Sequence, residues 1–265
     1  MRLIVTRVQP QADQWVQALR ERGLQALALP LIETTAVADP LPLRQAWLCW
    51  PAYHAVMFVS AHAVHHFFKE KEALALSGIA LADTKTRAWT TGPGSTAALQ
   101  AQGFSAALTD APASHSAQFD SEALWQRVQH QVAAGQRVLI VRGDTAGSDD
   151  GAAKGVGRDW LAQRLQSVGV RVDYVVAYRR AAPQWDTLQR KLAERAVSDG
   201  SVWIFSSAEA VGNLAHLLPG TDWSATRSVA THERIGQAAQ ALGFARVVVS
   251  SPTLAQVLAS IESLA

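Results

Sequence analysis

RVLIVRGDTAGSDDGAAKGVGRDWLAQRLQSVGVRVDYVVAYRRAAP, residues Arg137–Pro183, decides how the whole chain reads. Val138-Leu139-Ile140-Val141 is an apolar, β-branched run, the pattern of a strand buried on both faces. Arg142-Gly143-Asp144 is expected to end that strand. A loop rich in Gly, Asp, Ser and Ala then runs to Gly157 with no apolar period to fold on, and Asp149-Asp150 reads as its solvated tip. From Arg158 the pattern turns helical, with Trp160, Leu161, Leu165 and Val168 on one side, and Gly169 stops the helix. Val170 to Tyr178 predicts one long strand, closed by Pro183. A strand, a loop bounded by Arg142 and Arg158, a helix and a long exit strand suit a ligand site better than a plain connector.

Composition narrows the classes. A chain of 265 residues, 49% hydrophobic and 17% charged, can bury one large core or two ordinary ones. The formal net charge of +2 is too balanced for a broad nucleic-acid-binding face, so no nucleic acid partner is expected. One cysteine, Cys49, excludes an internal disulfide framework and a cysteine-based metal cluster. Met1-Arg2-Leu3-Ile4-Val5 runs straight into a strand, so no signal peptide is expected. No apolar run approaches the ~18 residues of a membrane span. The expectation is a cytoplasmic enzyme or binding protein acting on a small molecule, with no membrane partner.

Working outward, strands and helices alternate. Leu3 to Thr6 is a strand with Arg7 at its carboxyl end, Ala12 to Arg22 a helix closed by Gly23, and Leu24 to Leu29 a second strand. Pro30 to Thr35 stays extended, and Asp39-Pro40-Leu41-Pro42 breaks the pattern. Leu43 to Trp50 predicts a helix and His54 to Val59 a strand, with Ser60 capping a helix through Phe68. Thr86 to Thr90 is a strand that Thr91-Gly92-Pro93-Gly94-Ser95-Thr96 turns into a helix ending at Gly103; Ser121 to about Ala134 is another helix. Beyond Pro183, strands are expected at Val202–Phe205, Arg227–Ala230 and 246–249, each followed by a helix. Such alternation means parallel sheets in an α/β protein.

The chain also repeats itself. Phe58-Val59-Ser60-Ala61-His62-Ala63-Val64 matches Phe205-Ser206-Ser207-Ala208-Glu209-Ala210-Val211. Thr86-Arg87 returns as Thr226-Arg227, Gly103-Phe104 as Gly243-Phe244, Arg2-Leu3-Ile4-Val5 as Arg137-Val138-Leu139-Ile140, and Gly23-Leu24 as Gly169-Val170. Two similar α/β halves are expected. Ligands of such sheets sit beyond the carboxyl ends of the strands, and two such edges would form a cleft between the halves.

Four strand exits share one chemistry: Ser60-Ala61-His62, Thr91-Gly92-Pro93-Gly94, Ser206-Ser207-Ala208 and Thr231-His232-Glu233-Arg234. Each puts hydroxyls and free backbone N–H groups at a helix start, which suits anions. For any single segment, N-capping alone, worth ~1 kcal/mol, is the simpler explanation. Four together, with Arg7, Arg142 and Arg158, point to a polyanionic small molecule. Familiar catalytic sets are weak. His62, His65 and His66 share one helix without a carboxylate or thiolate partner set and read as a partly solvated face, not a metal site. Ser60 and Ser207 lack the G-x-S-x-G elbow, and Gly92-Pro93-Gly94 is neither a dinucleotide fingerprint nor a phosphate loop.

Val5-Thr6-Arg7, Pro30-Leu31-Ile32-Glu33, the Phe58–Val64 motif, Thr91–Thr96, Ser121–Leu124, Val138–Gly143 with Gly157–Leu161, the tyrosine of Val176-Ala177-Tyr178-Arg179-Arg180, Phe205–Val211 and Ser250–Thr253 stand in an order and spacing that resembles uroporphyrinogen-III synthases. The resemblance spans essentially the whole chain. It implies two flavodoxin-like parallel-sheet domains joined by a two-segment extended linker, with the ligand cleft between them. The first domain would be discontinuous, 1–34 with 179–265, and the second 39–172; the connectors would be 31–39 and 173–181. It also implies cyclisation of the linear tetrapyrrole hydroxymethylbilane to uroporphyrinogen III, with inversion of the last ring and loss of water, by a monomer that needs no cofactor and no metal. The family's tyrosine falls on Tyr178, whose phenol can donate a proton to the departing hydroxyl; its threonine falls on or near Thr231, where Thr-His-Glu-Arg stands instead of the commoner Gly-Pro-Thr-Thr. The substrate's carboxylates would be held by Arg7, Ser60, Ala61, Thr91, Gly92, Arg142, Gly143, Arg158, Ser206, Ser207, Thr231 and His232. A non-catalytic two-domain protein that closes on a polyanion, and a nucleotide-binding or transferase enzyme built on similar sheets, remain open readings of the residues alone.

Overall fold

A computed structural model describes residues 1–73, 84–113, 120–145 and 156–263, with the side chains of 145 and 156–159 outside that description. The chain divides into two compact units, Met1–Glu33 with Ala181–Ala265, and Thr34–Arg180.

The first unit holds β1 (Arg2–Val5), α1 (Gln11–Arg20), β2 (Gln25–Ala28), α7 (Thr187–Ser198), β9 (Val202–Phe205), α8 (Ala208–Leu217), β10 (Arg227–Ala230), α9 (Glu233–Leu242), β11 (Arg246–Val249) and α10 (Leu254–Glu262). Its strands pair in parallel in the order β11-β10-β9-β1-β2. Alternate residues of each strand feed opposite cores, as the pleat requires. Ile4, Trp203, Phe205 and Ala230 pack against Ala193, Val211, Leu214 and Ala239 of α7, α8 and α9. Leu3, Val5, Val202, Ile204 and Val229 pack on the other side against Val16 and Leu19 of α1 and Val257 and Ile261 of α10. The central strands are therefore apolar on both faces, which is why Val202–Phe205 reads as an unbroken hydrophobic run.

The second unit holds β3 (Glu33–Ala36), α2 (Leu41–Leu48), β4 (Ala55–Phe58), α3 (Ala61–Ala73), β5 (Arg87–Thr90), α4 (Pro93–Ala101), β6 (Thr109–Asp110), α5 (Ser121–Val128), β7 (Arg137–Thr145), α6 (Val156–Ser167) and β8 (Arg171–Ala181). The strand order is β3-β8-β7-β4-β5-β6. Val56, Phe58, Leu139 and Val141 bury against Trp47, Val64 and Phe67 of α2 and α3. Ala55, Met57, Trp89, Val138 and Ile140 bury against Leu124, Leu161 and Leu165 of α5 and α6. Each of the Val, Leu, Ile, Phe and Met side chains contributes roughly 1.5–3 kcal/mol by leaving water.

Several elements differ from the pattern reading; strand β6 was not expected, and α5 ends at Val128, short of the expected Ala134. Strand β7 does not stop at Arg142 but continues to Thr145 beside β8, with the register shifting between Arg142 and Gly143. Helix α3 passes Phe68 and is helical through Ala73, its charged added turn held by Glu70 on Arg44 of α2 at 3.1 Å and by Lys71 6.0 Å from the Trp47 ring centre. Helix α7 had no counterpart in the pattern; a capping box at its start, in which Asp186 accepts from the Gln189 N–H and Gln189 accepts from the Asp186 N–H, fixes it. The two extended segments expected as connectors, 31–39 and 173–181, contain β3 and most of β8, which lie side by side in the six-stranded sheet.

Candidate active site

In the second unit Phe58 of β4 is level with Thr90 of β5 and Val141 of β7. The residues that follow these positions, Ser60-Ala61 and Thr91-Gly92 beyond their strands and Arg142-Gly143 still within β7, therefore line one carboxyl edge. Tyr178 joins them from β8. Along β7 and β8 the partners run Val141 with Val175, Arg142 with Val176, then Gly143 with Tyr178, so Ala177 is the extra residue of a bulge. A bulge breaks the two-residue alternation of a strand. Consecutive Ala177 and Tyr178 accordingly both enter the core that α3 covers.

Tyr178 is 4% exposed. Its phenol oxygen lies 3.0 Å from Ser60 Oγ, and Ser60 Oγ accepts the Ala63 N–H at 3.1 Å, capping α3. Either hydroxyl can donate in the Ser60–Tyr178 pair; with one Ser60 lone pair on Ala63, a Ser60 that donates to Tyr178 leaves the phenol proton to point elsewhere. Gly143 makes this placement possible: a Cβ there would overlap Cζ of Tyr178. On the helix side His66 stacks on the phenol ring, centroids 5.6 Å apart with planes at 19°, and His62 lies at 5.8 Å and 47°. Burial, reinforced by the neighbouring His65, His62 and Lys69, pushes the His66 imidazole down to about 4. Burial, then His65 and Arg180, lowers His62 in the same sense. Both rings are neutral at physiological pH. Neither histidine was assigned a site role from the sequence, where the trio read as a solvated face.

Arg142 places its guanidinium over the Tyr174 ring at 4.9 Å. Thr91 and Gly92 open α4; Gly92 accepts the Ser95 and Thr96 N–H groups through its carbonyl, and no side chain caps the helix. Ala61 is the first residue of α3. Arg158 lies in the first turn of α6, its side chain outside the described residues, as do Asp149-Asp150 and the loop around them. A cavity of about 570 Å3 opens at the other end of this unit's sheet, lined in part by Cys49, Tyr53, Arg137 and Asp173. There Arg137 is bound to Asp173 at 2.6 Å and lies over Tyr53, so its charge is already answered.

The first unit arrays Arg7, Ser206-Ser207 and Thr231-His232 along its own carboxyl edge, since Val5 is level with Ile204 and Phe205 with Ala230. Arg7 is half-buried: its guanidinium sits 4.0 Å from the Trp15 ring centre, reaches Gln11 Oε1 at 3.3 Å and keeps a buried Nε without a partner. Among the described residues it makes no ion pair, and burial lowers its pKa. A half-desolvated cation in that state gains from an incoming carboxylate. Ser207 starts α8 without capping it, so the first N–H groups of that helix keep their donors. Thr231 is buried and donates its N–H to the Phe205 carbonyl. His232 is committed locally, its Nδ1 accepting the Arg234 N–H at 3.1 Å. Among the described residues no group of His, Cys, Asp or Glu could hold a metal ion, and no described helix is long and apolar enough to cross a membrane.

A family model described as uroporphyrinogen-III synthase HemD matches residues 13–259. Among solved structures, the uroporphyrinogen-III synthetase of Helicobacter pylori is similar at 16% identity and a TM-score of 0.59, covering 100% of this chain and 100% of that one. A mutant uroporphyrinogen III synthase of Thermus thermophilus is similar at 16% identity and a TM-score of 0.55, covering 100% of this chain and 98% of that one. At such identity the two structures carry the fold, and the match along nearly the full sequence carries the family: this chain belongs to the uroporphyrinogen-III synthases.

Proposed function

We propose that this chain is the cyclising lyase its family membership indicates, converting hydroxymethylbilane to uroporphyrinogen III in tetrapyrrole and haem biosynthesis, with Tyr178 as the acid. The observation that carries the role of Tyr178 is its buried phenol on Ser60 Oγ, at 3.0 Å, where Ser60 is itself held by the first turn of α3. The C–O bond of the substrate's terminal hydroxymethyl group breaks, and the phenol proton leaves with the hydroxyl as water. The resulting cation, delocalised into its pyrrole, is attacked by the bridge-bearing carbon of the last ring; the older bridge bond at that carbon then breaks, leaving a second delocalised cation on the neighbouring ring, and the free carbon of the now inverted last ring closes on it. The proton shed by the closing pyrrole carbon returns the phenolate to phenol. While Tyr178 carries negative charge, the Ser60 hydroxyl and the positive end of α3 stabilise it. General acid help of this kind contributes typically 10²–10⁴-fold.

Protein-free closure yields the uninverted isomer, so the enzyme's larger task is to hold the substrate folded; positioning contributes several kcal/mol, roughly 7–11 at the limit. A polycarboxylate needs many anion contacts. Support for these comes from Arg142, Ser60, Ala61, Thr91, Gly92, Gly143 and Arg158 in the second unit, and from Arg7, Ser206, Ser207, Thr231 and His232 in the first. Uncapped N-termini at α4 and α8 and the half-buried Arg7 guanidinium, with its unpartnered Nε, are the best suited of these. The same reading has the protein working as a cytoplasmic monomer without cofactor. The test is to feed the purified protein fresh hydroxymethylbilane, without metal or nucleotide, and resolve the oxidised porphyrin isomers. Mostly type III product is expected; only type I, as in the protein-free control, would leave a polyanion-binding protein in its place.

A further inference from the structure

Tyr178 is held more elaborately than a packing tyrosine requires. The bulge at Ala177 turns it into the core under α3. A Cβ on Gly143 would stand no farther than 2.8 Å from each of Cζ, Cε2 and Cε1, the carbons at the hydroxyl end of the ring. Backbone thus lies against that end of the ring from β7, closer than any side chain allows. From α3, His66 lies nearly parallel to the same ring at 5.6 Å. One turn earlier the same helix sets His62 beside the ring, and Ser60, directly before the helix, brings its Oγ to the hydroxyl.

We propose that Gly143 and His66 are positioning residues for Tyr178, clamping its ring between strand and helix so that the hydroxyl stays on Ser60 Oγ. The proposal rests on the reading of Tyr178 as the acid and adds the residues that hold it there. Gly143 contributes by having no side chain. His66 contributes a flat, uncharged surface; its depressed protonation keeps it so, in the company of His62, His65 and Lys69 on α3 and Arg180 on β8. A phenol tethered only at its oxygen still swings about χ1 and χ2, whereas one packed on both sides keeps its proton aimed. Loss of the clamp should therefore lower turnover and leave substrate affinity alone.

His66→Leu tests this, because it removes the plane and keeps an apolar contact, whereas Gly143→Ala also threatens folding. His66→Phe restores the plane. The chain has three tyrosines, Tyr53, Tyr174 and Tyr178, so protein labelled with 13C at tyrosine Cζ gives a countable spectrum, in which Tyr178→Phe identifies the Tyr178 signal. In His66→Leu the Tyr178 signal alone should move, and kcat should fall about tenfold with KM within about twofold. In His66→Phe at least half of the turnover should return. In a Tyr178→Phe background His66→Leu should cost nothing further, the signature of two residues acting as one unit. An unmoved Tyr178 signal overturns the proposal, and so does an equal loss of kcat in the Tyr178→Phe background. If Tyr178→Phe itself keeps full turnover, the acid role fails, while the Tyr178 signal still reports whether His66 holds the ring.

Discussion

In the first unit the chain enters one strand in from the edge of the sheet: β1 lies between β2 and β9, with β10 and β11 beyond. In the second unit the matching place belongs to β7, flanked by β8 and β4, with β5 and β6 beyond on one side and β3 added outside β8 on the other. Matching β1 with β7, β2 with β8, β9 with β4, β10 with β5 and β11 with β6 gives one strand order, 2-1-3-4-5, the flavodoxin-like arrangement, with the chain ends at different points. The sequence repeats obey the same matching. Arg2–Val5 pairs with 137–140, Gly23 with Gly169, Phe58–Val64 with Phe205–Val211, and Gly103-Phe104 with Gly243-Phe244. The difference lies in the second strand of the pattern. Its version in the first unit, β2, has four residues, whereas β8 has eleven and a bulge, and only β8 carries a phenol to the carboxyl edge. The serines at the paired exits differ accordingly. Ser60 caps its helix and holds Tyr178, whereas Ser207 does neither. One fold used twice offers two similar anion-friendly edges, and a longer strand sets chemistry on one of them.

The sharpest way to break this contrast is Gly143→Ala. Its Cβ collides with the Tyr178 ring, and overpacking of this kind costs typically ~1–3 kcal/mol. Urea unfolding should show that loss, and Tyr178→Leu, which shortens the ring away, should recover most of it. Next in size, Arg142→Glu should raise KM about tenfold, ~1.4 kcal/mol of binding, with kcat little changed; Arg7→Gln should act the same way in the first unit but less strongly. Steady-state kinetics separates the two parameters. For the matched serines, Ser60→Ala should cost ~1 kcal/mol through its lost cap, whereas Ser207→Ala should stay within ~0.5 kcal/mol. A further effect is in pH. His62 and His66 titrate below the ordinary 6.5 when folded, His66 at about 4, so the unfolded chain binds more protons in between. Stability is complete above pH ~6.5 and declines as pH falls toward ~4. Thermal unfolding from pH 7 to 4.5 should show the decline, and His66→Leu should flatten it.

Much of this was legible in the sequence because it is local. Apolar runs such as Val138–Val141 and Val202–Phe205 mark strands buried on both faces. Hydroxyl and glycine residues directly after them mark the carboxyl edges, and motif order along the chain marks the family. What was not legible depends on contacts distant in sequence. Arg142-Gly143-Asp144 reads as a strand end, yet β8 beside it draws β7 on to Thr145. Period-two counting cannot foresee that a bulge at Ala177 turns Tyr178 inward, so the His62 and His66 pair, correctly spaced for one helix face, looked solvated. Helix α7 is the exception, for its signal was present: Asp186-Thr187-Leu188-Gln189 has the capping-box spacing, but the polar face that follows hid the apolar period of Leu192, Ala193 and Ala196.

Turnover of Tyr178→Phe tests the central claim most directly, since the substitution removes one oxygen and leaves the ring between Gly143 and His66. With hydroxymethylbilane as substrate, kcat for type III product should fall about a hundredfold, and KM should stay close to that of the unaltered protein. Undiminished kcat would contradict the account, because the phenol hydroxyl that the bulge, the bare glycine and Ser60 hold in place would then have no part in the reaction.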